Sequence, residues 1–234
     1  MIINAEGAHI GDIVMLYPVL DHLEDPIVIV DEYIINNKDL FSNFKDYSFI
    51  ARNKAKKEDV DIDLSTIAYY YDRYFKGYHR TDVYASRAGI KLRSNLPALK
   101  TTYLTDHKVL FIDQGSKDPK RRLSEHKLIE LLQPLEEEYD IFLNGWFDYE
   151  NAKTTNISDW SNKDKLTALF SSSFFIGPDS GWMHLAGANK ISGIGIMGSF
   201  SKEERLKYYK TLEAYSRTIP CLNCHFQECS NNLK

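Results

Sequence analysis

The sequence has little cysteine, no long apolar run and no excess of basic charge. Its apolar runs, such as Ile27–Val30, are too short to span a bilayer. The formal net charge is −4, whereas a dedicated nucleic-acid-binding protein usually carries a marked basic excess. The first residues show neither the basic region nor the apolar core of a signal peptide. We therefore expect a cytoplasmic protein with no membrane span and no nucleic-acid partner.

The few cysteines lie together near the C-terminus. There are three of them, Cys221, Cys224 and Cys229. An odd number in a chain expected to be cytoplasmic argues against a disulfide framework. Their spacing is compatible with a structural zinc or iron site, and reduced, metal-free thiols are the alternative. The Cys-x-x-Cys-His sequence at 221–225 also matches c-type haem attachment, which would require export.

The sequence does contain enough apolar material for a packed core, arranged as alternating strand and helix patterns. The chain has 234 residues, of which 43% are hydrophobic. Strand patterns lie at 2–3, 27–30, 48–51, 108–113, 140–145 and 173–177, and helical patterns at 13–23, 64–76, 124–139, 163–172 and 182–189. Residues 194–199 form a further strand pattern that ends in a Gly/Ser turn. This alternation predicts an α/β protein with parallel sheets. The pattern restarts after a polar connection at 92–106, so we expect two domains, 1–103 and 104–234.

The most informative segment runs from 174 to 188, where an apolar strand pattern leads through a turn into a helix pattern. Asp179, Ser180 and Gly181 stand at the start of that helix, and His184 lies one turn further on. The amides and the dipole at a helix N-terminus favour an anion, typically a phosphate. An ordinary strand-to-helix connection, with a serine that only caps the helix, is the alternative. The segment alone does not separate these two interpretations.

A second glycine-bearing turn lies near the start of the chain and leads into the first helix pattern. Gly11 and Asp12 stand at this turn. Pro18 predicts either a kink in the helix that follows or a first helical turn at its own position. A carboxylate just inside a helix start has its charged form favoured by the helix dipole. Asp12 is therefore expected to be ionised at neutral pH, and an N-cap or first-turn helix charge is the ordinary structural role for a carboxylate at this position.

Five motifs, in the same order, resemble those of glycosyltransferase family 9, the ADP-heptose heptosyltransferases. Residues 11–20 resemble the family's N-terminal Gly-Asp…Pro-φ-Leu motif, and 179–188 resemble its Asp-Thr-Gly-x-x-His-Leu-Ala-x-Ala motif. Residues 115–121 take the place of its Gly-(Ala/Ser)…Lys-(Arg/His)-Trp stretch, and 197–199 resemble its Phe-Gly-(Pro)-Thr turn. The terminal cysteine cluster recurs in many members. The likeness extends over most of the second half, but only over about the first 30 residues of the first half.

The resemblance implies a GT-B-like architecture and an inverting sugar transfer. In this architecture two Rossmann-like domains with parallel sheets face a central cleft, and here the N-terminal domain is reduced. That domain would hold the acceptor and supply Asp12, which matches the family's proposed general base. The C-terminal domain would bind the donor through residues that match the family's motifs: Lys120, Asp179, Ser180, Gly181, His184, Gly198 and Ser199.

Each of these donor-side residues has an implied role. Lys120 matches a lysine that contacts the donor phosphates, and Lys117 is the alternative because Arg122 stands where the family has tryptophan. The resemblance implies that Asp179 contacts the sugar and that Ser180, Gly181 and His184 hold the diphosphate. The turn of Gly198 and Ser199 would add a further amide.

The resemblance thus predicts a cytoplasmic glycosyltransferase of lipopolysaccharide or glycan biosynthesis. The sugar, which the resemblance implies is heptose, would pass from an ADP-sugar to a hydroxyl of a glycan, lipid-linked or protein acceptor. Catalysis would require no metal, because GT-B enzymes generally use side chains and helix dipoles instead. A catalytically degenerate nucleotide-sugar-binding protein of the same fold is the alternative, because the first half is short.

Overall fold

A computed structural model describes residues 1–56, 59–102, 108–115, 122–147, 149 and 151–216. The chain forms two compact units, Met1–Thr102 and Tyr103–Lys234. Each unit contains one parallel sheet with helices between its strands. The predicted α/β class with parallel sheets is therefore confirmed. Among the described residues, no helix is long and apolar enough to cross a membrane.

The first unit is built on a four-stranded sheet with the order β3-β2-β1-β4. Its strands are β1 (Ile2–Asn4), β2 (Ile27–Val30), β3 (Ser48–Ala51) and β4 (Ile62–Asp63). Its helices are α1 (Ile10–Leu20), α2 (Glu32–Asn36), α3 (Ser65–Tyr74) and α4 (Arg80–Arg87), with 3₁₀ turns at Lys38–Phe41 and Arg52–Lys54. All neighbouring strands are parallel, so their carboxyl ends lie along one edge.

Helix α1 is the centre of the first unit's core. Every residue from Gly11 to Leu20 is buried, which explains why this helix has apolar residues on all sides rather than on one face. Tyr17 packs against several rings, and its ring centroid lies 4.8 Å from that of Phe44 and 5.8 Å from that of Phe41. The polar residue Asp12 is thus held inside an otherwise apolar helix.

The second unit has a six-stranded sheet with the order β10-β9-β8-β5-β6-β7. Its strands are β5 (Val109–Asp113), β6 (Asp140–Asn144), β7 (Thr154–Asn156), β8 (Phe174–Pro178), β9 (Ser192–Ile196) and β10 (Leu212–Tyr215). Its helices are α5 (Glu125–Leu135), α6 (Asn162–Phe170), α7 (Gly181–Ala188) and α8 (Lys202–Arg205). One cluster of its core joins α5 to strands β5, β6 and β8 through seven buried residues: Leu110, Ile112, Leu128, Leu132, Ile141, Leu143 and Ile176.

Some element bounds differ from those expected. Pro18 lies in the last turn of α1, not in a first turn, where the missing proline N–H removes only one bond near the helix end. Helix α5 ends at Leu135, earlier than the expected residue 139. Strand β9 begins at Ser192, two residues before the expected start, and ends at Ile196, so Gly198 and Ser199 follow the strand as expected.

Candidate functional site

The strand order places a topological switch point at the centre of the second unit's sheet. Strands β5, β6 and β7 run outward in one direction, and β8, β9 and β10 run outward in the other. The switch therefore falls between β5 and β8, which end at Asp113 and Pro178. Ligands of open α/β sheets bind outside the carboxyl ends of the strands at such a point. The segment with Asp179, Ser180 and Gly181 follows β8 at this position.

Asp113 is the buried centre of this switch point, with no exposed surface. The Ser180 hydroxyl donates to its Oδ2 at 2.6 Å, and the Asn144 Nδ2 donates to its Oδ1 at 2.8 Å. Burial raises the pKa of Asp113, while hydrogen bonds from Ser180, Asn144 and the Gly115 backbone oppose that rise. A Cβ added at Gly177 would lie 2.9 Å from the Asp113 Cβ. Strand β8 can therefore lie close to β5 only because residue 177 is glycine.

Ser180 is the N-cap of α7. Its Oγ accepts a hydrogen bond from the Met183 backbone N–H at 3.3 Å while it donates to Asp113. Gly181 is the first residue of the helix. The first turn of a helix presents N–H groups without intrahelical acceptors, and together with the helix dipole they favour an anion. The N-cap interpretation of Ser180 is therefore correct, and it is compatible with anion binding by the helix backbone.

Asp179 belongs to a second buried network beside this helix start. Its Oδ2 accepts from the Arg205 Nε at 3.2 Å, and its Oδ1 lies 3.4 Å from the His184 Nε2. The His184 Nδ1 lies 3.2 Å from the Tyr209 hydroxyl oxygen. Burial raises the pKa of Tyr209, so its hydroxyl stays protonated and can donate to Nδ1. Nε2 then carries the hydrogen that lies towards Asp179.

The turn after β9 has open space beside it. A Cβ added at Gly198 would meet no atom within 4 Å, whereas one added at Gly193 would lie 2.3 Å from the Phe175 carbonyl oxygen. Gly198 is exposed, and Ser199 is partly buried. The two glycines therefore serve different purposes. Gly193, near the start of β9, permits close packing against β8, and Gly198, after the end of β9, leaves room at the carboxyl end of the sheet.

Asp12 lies in the first turn of α1 and is buried, with 7% of its surface exposed. Its Oδ2 accepts from the His9 backbone N–H at 2.9 Å, as in a capping box. Its Oδ1 accepts from the Arg80 guanidinium, which comes from α4. The guanidinium carbon also lies 4.2 Å from the Tyr71 ring centroid. Asp12 thus has the structural capping role, and in addition a buried cation partner that the sequence did not indicate.

The first unit has its own switch point, between β1 and β4. The Asn4 Nδ2 donates to the Asp63 Oδ1 at 3.1 Å, and the Ser65 backbone N–H donates to the same oxygen at 3.0 Å. Burial alone would raise the pKa of Asp63, but the hydrogen bonds from Ser65 and Asn4 and the charge of Arg87 lower it overall. Asp63 is therefore favoured in its charged form at this sheet edge.

Several polar residues of these networks were not identified in the sequence as candidates. They are Arg80, Asp113, Asn144, Arg205 and Tyr209. Asp113 and Asn144 each end a strand, and a polar residue directly after an apolar strand pattern is a signal that could have indicated them. No comparable local signal exists for Arg80 or Arg205, which lie on short helices far along the chain from their carboxylate partners.

Other expected site residues lie outside the described residues. These are Lys120, the alternative Lys117, and the three cysteines Cys221, Cys224 and Cys229. Within the part of the chain that the structure describes, no group of three His, Cys, Asp or Glu side chains is placed to hold a metal ion. A surface groove of about 580 Å³ runs along α6, beside Trp160 and Asp164, and none of the candidate residues lines it.

Comparison with known proteins identifies the fold. No family model matches the chain, and no curated protein matches its sequence. The chain is similar to a glycosyltransferase family 9 structure from Veillonella parvula, with 12% identity and a TM-score of 0.61 over 92% of this chain and 85% of that one. It is also similar to the E. coli heptosyltransferase WaaC with ADP, with 13% identity and a TM-score of 0.60 over 93% of this chain and 94% of that one.

A third similar structure is TibC, an iron-containing dodecameric glycosyltransferase from enterotoxigenic E. coli. Its identity to this chain is 14% and the TM-score is 0.66, over 95% of this chain and 64% of TibC. The chain therefore spans less than two thirds of the length of TibC. At these identities the likeness shows the fold: the chain has the α/β fold of the family 9 glycosyltransferases, and the predicted resemblance to this family is confirmed at the level of the fold.

Proposed function

We propose that this protein is an inverting glycosyltransferase that uses a nucleoside-diphosphate sugar, with ADP-heptose as the donor. The observation that carries the proposal is the start of α7 at the β5/β8 switch point, where Asp179, Ser180 and Gly181 stand together. Support comes from the shared fold, since similar structures hold ADP or ADP-D-beta-D-heptose. Such a helix start suits the diphosphate of that class of donor.

The donor side of the site acts by holding negative charge. The N–H groups of the first turn of α7 bind the diphosphate. The positive charge of Lys120 stabilises the negative charge that develops on the departing diphosphate. Gly198 and Ser199 border the open space at the end of β9 and supply a further amide. A donor held by amides and a lysine needs no metal ion for this step.

Asp179 orients the sugar. Arg205 and His184 each engage one of its oxygens, which fixes the orientation of the carboxylate. In this arrangement His184 acts on the donor through Asp179, because both of its ring nitrogens lie within the protein network.

Asp12 is the proposed general base. The acceptor hydroxyl of a glycan, lipid-linked or protein substrate attacks the anomeric carbon. The new carbon–oxygen bond forms as the bond to the diphosphate breaks. The acceptor proton passes to Asp12, and the nucleoside diphosphate leaves with its electron pair. Each oxygen of Asp12 already accepts one hydrogen bond, and the remaining lone pairs are available for this proton.

The test has two arms, nucleotide binding and nucleotide release. Calorimetric titration of the wild-type chain with ADP is expected to show saturable binding, tighter than with GDP or UDP. Release of ADP from ADP-heptose is expected to fall by a factor of about 100 or more in Asp12→Asn, as for loss of a general base. ADP affinity should be unchanged in that variant. Absence of ADP binding at millimolar concentration would refute the proposal.

A second candidate function is a binding protein that retains the nucleotide site without turnover. The observation that favours it is the buried pairing of Asp12 with Arg80, because a carboxylate already paired with a guanidinium is a weaker base. In that case ADP binds, but the wild type and Asp12→Asn release ADP from ADP-heptose at the same background rate. The same two assays therefore separate the two functions.

A further inference from the structure

We propose that Asp113 is a positioning residue of the donor site: its carboxylate holds the Ser180 hydroxyl, so that phosphate is bound by the main-chain amides of α7 and not by that hydroxyl. The inference rests on the proposed function, because it concerns how the donor's diphosphate is held. It assigns a role to a residue that no motif indicated.

The only hydrogen of the Ser180 hydroxyl is already used within the protein. A serine hydroxyl has one hydrogen to donate and two lone pairs to accept with. The hydrogen is used on the Asp113 Oδ2 at 2.6 Å, and one lone pair is used by the Met183 N–H at 3.3 Å. The hydroxyl therefore has no hydrogen left for a phosphate oxygen. Anion binding at this turn falls to the backbone.

Asp113 is itself held in place by burial and by a second hydrogen bond. Its side chain is fully buried, and the Asn144 Nδ2 holds the other oxygen at 2.8 Å. The Asp113 Cβ lies so close to strand β8 that a Cβ added at Gly177 would come within 2.9 Å of it. A carboxylate fixed on both oxygens gives the Ser180 hydroxyl one orientation. That orientation joins the ends of β5 and β6 to the first turn of α7.

Glu136 is a second buried carboxylate, and it serves to distinguish a role in donor binding from a role in stability alone. It directly follows α5 and has 9% of its surface exposed. Like Asp113 it accepts hydrogen bonds from neutral side chains, including those of Tyr149 at 3.0 Å and Asn151 at 2.9 Å. These donors lie near the edge strand β7, away from the switch point. Loss of Glu136 should therefore affect stability without affecting donor binding.

The experiment measures ADP affinity by calorimetry and folding by thermal unfolding. Asp113→Ala is expected to bind ADP about tenfold more weakly, the size of effect given by losing a hydrogen bond to a charged group. Asp113→Asn should bind nearly as well as the wild type, because its amide oxygen still accepts from Ser180 while its NH₂ group can donate to a flipped Asn144. Glu136→Ala should lower the melting temperature with unchanged ADP affinity.

A double-mutant cycle then tests whether Asp113 acts through Ser180. In a Ser180→Ala background, Asp113→Ala should cause little further loss of ADP affinity. The control is Ser161→Ala, because Ser161 caps α6 as Ser180 caps α7, with its Oγ 2.6 Å from Asp164 Oδ2 and 3.2 Å from the Asp164 N–H. That variant should lose stability and keep ADP affinity.

The outcomes distinguish this inference from the function on which it rests. If the wild type binds ADP and Asp113→Ala binds it equally well, or if the losses at 113 and 180 simply add, the positioning role is refuted and the proposed function stands. If the wild type does not bind ADP, both are refuted. Should Asp113→Ala fail to fold, Asn144→Ala serves instead. It removes the second side-chain donor to Asp113 and should weaken ADP binding in the same direction, and an unchanged affinity would again refute the role.

Discussion

At the residue scale, the pairing of Asp12 with Arg80 is an interaction between two charges taken out of water. Their side chains are 10% and 8% exposed. Such a pair contributes little net stability relative to an apolar replacement, but leaving one charge alone in the interior is costly. The Tyr71 ring beside the guanidinium adds a cation–π contact. The local structure of α1 therefore depends on a residue of α4.

Removing one partner of this pair should destabilise the protein strongly. Arg80→Gln leaves Asp12 buried without its cation and is expected to cost about 3–5 kcal/mol in the free energy of unfolding. The control is Lys100→Gln, since Lys100 and Asp46 form an exposed pair with 42% and 88% of their side chains accessible. That change should cost about 0–1 kcal/mol. Urea denaturation measures both, and similar losses in the two variants would contradict the buried pairing.

Asp113 should make the stability of the protein depend on pH in a direction that can be worked out. Because burial raises its folded-state pKa above the usual range of an aspartate, the native state holds the proton more tightly than the unfolded state. Its favourable contribution is complete below the unfolded pKa and is lost as the pH rises through the raised pKa. The positive charge of Lys165 opposes this rise without reversing it.

The measurement for Asp113 compares melting temperatures of the wild type and Asp113→Asn across the acidic range. The asparagine does not titrate, so the wild type should lose stability relative to the variant as the pH rises above about 4. Other carboxyl groups are common to both proteins and cancel in the difference. Parallel curves for the two proteins would show that Asp113 has the same pKa in its folded and unfolded states.

The candidate site was only partly predictable at this scale. The residues around the start of α7 could be found because they lie close together in the sequence, where a strand pattern leads into a helix pattern. They are Asp179, Ser180, Gly181 and His184. Their partners could not be found, because Asp113 lies 67 residues from Ser180 and Arg80 lies 68 residues from Asp12. Such contacts are fixed by how strands and helices pack, and no periodicity in the sequence records them.

At the element scale, β9 shows how two glycines near one strand can have opposite tolerance to substitution. A Cβ at Gly193 would lie 2.3 Å from the Phe175 backbone oxygen, and one at Gly198 would meet nothing within 4 Å. Gly193→Ala must therefore push β9 away from β8, at an expected cost of about 1–3 kcal/mol. Gly198→Ala should leave stability within about 0.5 kcal/mol. Thermal unfolding of the two variants checks this, and equal losses would contradict the described packing.

The strands that the sequence did not predict share a physical property. Strands β4, β7 and β10 each lie at the edge of a sheet. An edge strand is covered on fewer sides, and β10 accordingly has one buried residue followed by three exposed ones. Such strands carry no apolar run to reveal them. The central strands β2, β5 and β8 are buried and apolar, and the sequence predicted each of them.

At the scale of the whole molecule, both units place polar groups at the switch point of a parallel sheet. In the first unit these are Asn4 and Asp63, and in the second Asp113 and Ser180. The alternation of strands and helices predicted the parallel sheets, but it could not predict strand order, because pairing between distant strands depends on tertiary packing. The position of the switch points, and the buried partners that they bring to the candidate site, became visible only in the folded chain.

Binding of the donor nucleotide should stabilise the molecule whether or not metal ions are present. In the proposed site the diphosphate is held by amides of α7 and by Lys120, none of which requires a metal. ADP at 100 times its dissociation constant is then expected to add about 2.7 kcal/mol to the free energy of unfolding. The same gain should be measured in thermal unfolding after dialysis against EDTA. Loss of the gain on chelation, with recovery on adding Mg²⁺ or Zn²⁺, would mean that a metal ion takes part in binding the nucleotide.

Metal analysis of Cys221→Ser beside the wild type tests separately whether the cysteines hold zinc or iron. Because these thiols are assigned a structural role at most, that variant should keep its ADP affinity even if it loses a metal ion.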